Sequence, residues 1–119
     1  MSIRQLKVFF GRIFRRLVGD FKKSYAQCGE DLIVDHLIKI IGVKEPYYLD
    51  LGAHHPTYLS NSYYFYEKGF TGVCVDADPS LIKAFEKVRQ RDLILNLGVG
   101  IEKSVLDFYL MSSKTLNTF

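Results

Sequence analysis

The sequence contains few of the residues that cross-link or interrupt a small domain. It has no tryptophan, three prolines and two cysteines in 119 residues. Two cysteines cannot build the disulfide framework of a small secreted protein. Cys74 lies in an apolar segment, where a buried free thiol is the simplest interpretation. A reducing compartment is therefore favoured, and we expect a cytoplasmic protein.

A long apolar run is also missing near the N-terminus. Arg12, Arg15 and Arg16 interrupt the first apolar segment, and this interruption excludes a signal-peptide core. The segment is also too charged to span a bilayer. Acidic residues are scarce in the same place. Residues 1–23 hold seven Lys/Arg against one acid (+6), and residues 24–119 hold nine against twelve (−3). The slightly acidic body gives no indication of nucleic-acid binding.

Residues 1–23 are predicted to form a basic amphipathic helix. The apolar positions follow helical spacing and are Ile3, Leu6, Phe10, Ile13, Phe14 and Leu17. Two interpretations remain open. Residues 3–18 could make a peripheral contact with an anionic membrane, at its inner face. Alternatively, the helix docks on its own domain or on a partner, which is the commoner role of amphipathic helices.

Residues 24–119 are predicted to alternate between helices and strands. Ser24 and Gln27 have capping-box spacing ahead of a helix that Gly42 ends, and Asp78-Pro79 is a strong helix start. A further helix is predicted over 60–68. Buried strands are predicted over 47–51, 72–75 and 93–99, with a fourth over 105–111. This alternation is typical of crossover units and a parallel sheet, so the fold class is α/β.

The loop after the first strand has one glycine where a dinucleotide site needs three. Asp50-Leu51-Gly52 is followed by Ala53, two histidines and Pro56. Asp76 follows Gly52 by 24 residues, close to the ~20-residue spacing of an acid that binds a ribose hydroxyl. A pyrophosphate needs the missing glycines for close backbone approach, which disfavours NAD. S-adenosylmethionine carries no phosphate and suits this loop better.

Three ordered motifs resemble one enzyme family. Residues 24–32, SYAQCGEDL, resemble the SxSQxGED opening of the FkbM family of S-adenosylmethionine-dependent methyltransferases. Residues 48–56, YLDLGAHHP, look like its DxGAxxP motif, and residues 69–79, GFTGVCVDADP, are similar to its second motif. Residues 96–100 fit the third strand. The resemblance implies a Rossmann-like class I methyltransferase sheet and methylation of a hydroxyl on a small-molecule or glycan acceptor, such as a sugar or secondary metabolite.

The resemblance also implies roles for individual residues. Gly52 and Ala53 would form the floor under the methionine part of the cofactor, Asp50 would contact its amino group, and Asp76 would bind the ribose. His54 and His55 are weak candidates for contacting the cofactor or for taking the acceptor's proton. No metal is expected, because adjacent histidines without a third ligand lack metal-ligand spacing.

The resemblance covers residues 24–119 and corresponds to the N-terminal part of such a domain. The expected sheet is therefore truncated after the third parallel strand and a following β-strand, and the chain is expected to be inactive by itself. A second hypothesis is a membrane-surface or partner-binding module, in which a non-catalytic α/β platform carries the basic helix. A third is a NAD-dependent oxidoreductase, disfavoured by residues 53–56.

Overall fold

A computed structural model describes residues 2–18 and 22–110. Helices and strands alternate along the chain, as the sequence predicts. Their bounds are α1 Ile3–Val18, α2 Glu30–Ile40, β1 Tyr48–Leu51, α3 Tyr63–Glu67, β2 Gly72–Asp76, α4 Pro79–Val88 and β3 Leu93–Asn96. The α/β class is confirmed.

The strands form one parallel sheet in the order β1-β2-β3. In the register, Asp50 lies opposite Cys74, and Cys74 lies opposite Ile94. Because side chains alternate between the faces of a sheet, Asp50, Cys74 and Ile94 share one face. The arrangement is compatible with the Rossmann-like order that the sequence predicts.

One face of the sheet is covered by α4, and the other is open at its edge strands, although Val75 on the central strand is 6% exposed. The covered face holds the core cluster of Ala53, Cys74, Leu81 and Phe85. On the opposite face Leu49, Leu51 and Leu93 keep 62%, 54% and 56% of their surface exposed. Parallel sheets normally have both faces covered, so this apolar face is an unusual feature of the described residues.

The predicted strand over 105–111 is wrong in its described part. From Leu97 to Leu110 the chain forms no strand, and Tyr109 makes only an isolated bridge. Val105 is fully exposed, and no strand of the sheet pairs with the described part of the segment over a continuous stretch. Apolar alternation alone cannot hold a strand without such a partner. Met111 lies outside the described residues.

Two other boundaries differ from the prediction for local reasons. β3 ends at Asn96 instead of 99, and the Asn96 side-chain amide donates to the Asp76 carbonyl at 2.9 Å. The helix predicted over 60–68 begins only at Tyr63, because the Ser60 hydroxyl accepts from the Tyr63 N–H at 3.2 Å ahead of the first turn.

The predicted capping box at Ser24 and Gln27 is also wrong, since α2 begins at Glu30 after Gly29 in a left-handed conformation. Asp31, which is 1% exposed, instead accepts from the Ser24 hydroxyl at 2.6 Å and the Tyr25 N–H at 2.7 Å. By contrast, Asp78 accepts from the Ser80 N–H at 2.8 Å and caps α4, as predicted.

Helix α1 packs on none of the other described helices or strands. Docking on its own domain, one of the two interpretations above, is therefore not seen in residues 2–18 and 22–110. In the same ranges no helix has the length and apolarity needed to cross a membrane.

Asp35 on α2 pairs with Lys39 one turn along the same helix and with Lys68 at the end of α3. Its side chain is 6% exposed, and the ion pair with Lys39 is 2.6 Å long. Tyr64 adds a hydrogen bond at 3.2 Å. Burial opposes the charged form, but the hydrogen bonds from Lys39 and Lys68 outweigh it and lower the pKa of Asp35 to about 2.

Replacing Asp35 with asparagine is expected to lower the free energy of unfolding at pH 7 by about 1–3 kcal/mol, because charge-assisted hydrogen bonds are lost. A depressed carboxyl pKa stabilises the fold above its unfolded value of about 3.9, and this contribution disappears as the pH falls through about 2. Urea unfolding should therefore show the gap between wild type and Asp35→Asn closing over that window. A gap that stays constant, or an equal loss in the exposed Asp107→Asn control, would contradict this role.

Candidate active site

The loop after β1 folds back onto the end of β2. Gly52 and His54 both have left-handed backbone conformations, with φ of 71° and 53°. The turn directs the N–H groups of Gly52 and Ala53 to the Val75 carbonyl, at 2.9 and 3.0 Å. The next N–H, that of His54, donates to the Asp76 carboxylate at 2.7 Å. Three consecutive amides are thus bonded to β2.

Asp76, at the end of β2, forms hydrogen bonds with the loops that follow β1 and β3. Its second carboxylate oxygen accepts from the Asp78 N–H at 2.9 Å, and its carbonyl accepts from the Leu97 N–H at 3.1 Å. An ionised carboxylate offers about four lone-pair positions. The hydrogen bonds from the His54 and Asp78 N–H groups use two of them. The half-buried side chain can therefore accept further hydrogen bonds from a ligand.

The structure places Asp50 in a different environment from Asp76. The Asp50 carboxylate accepts from the Ser62 hydroxyl at 2.5 Å, and Ser62 is 3% exposed at the start of α3. No hydrogen bond within residues 22–110 joins Asp50 to Asp76. The structure thus brings together four of the predicted site residues, Gly52, Ala53, His54 and Asp76. Asp50 lies apart from them.

The two histidines differ in their hydrogen bonding, because His54 donates through its backbone N–H whereas His55 accepts through its ring. The Nδ1 atom of His55 accepts from the Thr57 N–H at 3.2 Å and from the Tyr58 N–H at 2.9 Å. A neutral imidazole that accepts at Nδ1 carries its proton on Nε2. His55 therefore organises the turn and would have to give up these bonds to take a proton. His54 is the better candidate for a base.

A cavity of about 330 Å³ opens beside Asp76 at the ends of β2 and β3. Its lining combines small, apolar and polar residues and comprises Ala77, Asn96, Leu97, Gly98, Val99, Gly100, Glu102, Ser104, Val105, Leu106 and Phe108. None of these residues was predicted to be part of a site. The Gly98-Val99-Gly100 run, which follows β3 after Leu97, was the available signal.

A buried arginine that the sequence analysis missed lies behind the loop. Arg89 is 0% exposed, and its guanidinium pairs with Asp92 at 2.7 Å. It also donates to the Pro56 carbonyl at 3.0 Å and to the Ser62 hydroxyl at 3.0 Å. Leu81, Phe85 and Arg89 recur every four residues along α4, and this spacing places Arg89 on the buried side of the helix.

The groups around Arg89 are poor nucleophiles. Burial raises the pKa of the Cys74 thiol to about 11. Burial and the hydrogen bond to Asp92 also raise the pKa of Tyr48. No buried side-chain nitrogen or oxygen in the described part of the chain lacks a partner. This buried cluster therefore supports the loop and is not set up for chemistry itself.

Among the described residues, no group of three or more His, Cys, Asp or Glu side chains could hold a metal ion.

Comparisons with known proteins found no family model, no curated protein and no solved structure that matches the chain. A functional assignment must therefore come from the motifs and from the geometry of the Asp76 edge.

Proposed function

We propose that the chain is the cofactor-binding part of a FkbM-type methyltransferase domain and binds S-adenosylmethionine at the Asp76 edge of its sheet. The observation that carries the proposal is the hydrogen bonding of the first loop. The N–H groups of Gly52, Ala53 and His54 are all engaged by Val75 and Asp76. Phosphate sites in α/β folds rely on free loop amides, so a cofactor without phosphate suits this loop better than NAD.

The spare acceptor positions of Asp76 fit the hydroxyls of a ribose. A carboxylate that accepts from ribose hydroxyls is the usual device at the end of a second strand in nucleotide-binding α/β domains. The adjoining cavity has apolar walls from Leu97, Val99 and Phe108, which suit the flat base of an adenosine. Ligands of parallel sheets bind at this edge of the strands.

When bound, S-adenosylmethionine supplies an electrophilic methyl group on sulfur. The chain's own contribution is to hold the ribose through Asp76 and to keep the donor and the acceptor hydroxyl aligned, which accounts for most of the rate in such a transfer. His54 is the candidate to accept the hydroxyl proton as the new carbon–oxygen bond forms. The acceptor class is a hydroxyl of a sugar or secondary metabolite.

Calorimetric titration with S-adenosylhomocysteine is expected to detect binding, and Asp76→Asn is expected to weaken it by about 1–3 kcal/mol through a lost charge-assisted hydrogen bond. This loss corresponds to a roughly 5- to 140-fold rise in Kd. Asparagine keeps an acceptor oxygen for only one of the two amides that Asp76 binds, those of His54 and Asp78, so the integrity of the loop has to be measured as well. The exposed Asp107 lies outside the cavity lining, and Asp107→Asn provides the matched control.

Thermal melting of each variant separates a weakened site from a disordered loop. An Asp76→Asn protein that melts like wild type and binds S-adenosylhomocysteine equally well would remove Asp76 from the site. Tighter binding of NAD than of S-adenosylhomocysteine by the wild-type chain would overturn the choice of cofactor.

A further inference from the structure

Helix α1 presents an apolar face to solvent along its described length. Successive residues turn by about 100°, which places Ile3, Leu6, Phe10 and Ile13 along one side. Ile3 and Phe10 are 77% and 60% exposed, and Leu6 and Ile13 are 42% and 40% exposed. Phe14 and Leu17 continue this spacing in the sequence. Helix α1 contacts none of the other described helices or strands, and none of the four side chains from Ile3 to Ile13 is buried.

The remaining surface of α1 carries charge of one sign. Arg4 and Arg12 lie on the side opposite the apolar stripe, and Arg15 and Arg16 continue it in the sequence. Lys7 falls at the boundary of the two faces, where a long side chain can reach toward a polar phase. No acidic residue occurs between Met1 and Val18. A polar face rich in Lys and Arg is typical of helices that lie on anionic membranes.

We propose that α1 is a membrane-surface helix that lies in the plane of an anionic lipid bilayer. A helix of 16 residues is about 24 Å long, shorter than the ~30 Å hydrocarbon core, and its arginines prevent it from crossing. Lying flat, it buries Phe10 and its neighbours at the level of the acyl chains, while the arginines meet anionic headgroups. Complementary charge and an open apolar face together favour lipid over a protein groove.

This inference is independent of the methyltransferase proposal, because α1 shares no packing contact with the Asp76 edge. The test is co-sedimentation of the whole chain with vesicles of phosphatidylcholine and phosphatidylserine in about a 2:1 ratio, beside vesicles of phosphatidylcholine alone. We expect binding to the mixed vesicles that weakens with added salt, and little binding to the neutral ones.

Two variants with the same change of charge locate the contact. Phe10→Glu places a carboxylate on the apolar stripe, whereas Val8→Glu places it between Arg4 and Arg12 on the basic side. We expect Val8→Glu to weaken binding only about fivefold, through its charge, and Phe10→Glu to weaken it at least about fiftyfold, because it also loses the buried aromatic ring. Arg4→Glu with Arg12→Glu should abolish the preference for anionic vesicles.

Circular dichroism in the presence of vesicles separates a loss of binding from a loss of the helix. Wild type and Val8→Glu should both be helical on the vesicles. Equal losses in Phe10→Glu and Val8→Glu would overturn the proposal. So would equal binding to neutral vesicles, or binding to an acidic protein without binding to vesicles. Burial of the stripe against the open sheet face, shown by protection of Leu49 in the free chain, would also overturn it.

Discussion

Replacing Arg89 with methionine is expected to lower the free energy of unfolding by about 3–5 kcal/mol. Methionine is of similar length but leaves the buried Asp92 carboxylate, whose side chain is 0% exposed, without its cation. The Ser62 hydroxyl and the Pro56 carbonyl each lose a partner as well. Urea unfolding followed by far-ultraviolet circular dichroism measures the change.

Arg91 supplies the matched control for that experiment. Both arginines lie over the ring of Tyr66, with the guanidinium of Arg89 4.8 Å and that of Arg91 3.9 Å from its centroid. The side chain of Arg91, however, is exposed. Arg91→Met should cost no more than about 1 kcal/mol. The double variant Arg89→Met/Asp92→Asn should recover part of the loss, because it removes both buried charges. An equal effect at Arg89 and Arg91 would mean that the buried pair does not support the fold.

Replacing Gly72 with alanine is the second large effect, and we expect a loss of about 3 kcal/mol. A Cβ atom at this position would overlap both the ring and the backbone carbonyl oxygen of Tyr48 on the neighbouring strand. The carbonyl belongs to the β1–β2 ladder and cannot move without separating the strands. The same shift would disturb the hydrogen bond from the Gly72 N–H to Asp92, now 2.9 Å long.

Gly100→Ala is the control for this substitution. A Cβ there would meet its nearest atom, the Glu102 carbonyl oxygen, at 3.7 Å, an ordinary contact, so stability should change by no more than about 0.5 kcal/mol. Comparing the urea midpoints of the two alanine variants decides the question. A Gly72→Ala protein as stable as Gly100→Ala would show that β1 and β2 tolerate a wider separation.

Elements with strong local signals could be predicted from the sequence. β2 is an apolar run between a glycine and an acid and was predicted within a residue of its observed bounds, and α4 begins where its aspartate followed by proline predicts. The segment after Leu97 was not predicted correctly, because its apolar residues alternate but, in the part that the structure describes, no strand of the sheet pairs with them. The start of α2 was also missed, since the Ser24 hydroxyl bonds to Asp31 and not to a helix amide.

The candidate site divides in the same way. Spacing along the chain placed Asp76 beside Gly52 and His54, because parallel strands end at one edge of the sheet. It could not show that Ser62 would engage Asp50, or that Thr57 and Tyr58 would occupy His55. Those partners depend on the path of an irregular loop. Arg89 was missed because a charged residue on a helix is usually solvent-exposed.

The central claim is that the carboxyl edge of the sheet binds an adenosine cofactor without phosphate. Nuclear magnetic resonance of the nitrogen-labelled chain tests it directly, through amide shifts during titration with S-adenosylhomocysteine and separately with NAD. S-adenosylhomocysteine should shift the amides of His54, Ala77 and Gly98 and leave those of α2 in place, and NAD should shift them less. Unchanged spectra, shifts confined to α2, or a stronger response of the same amides to NAD would contradict the account.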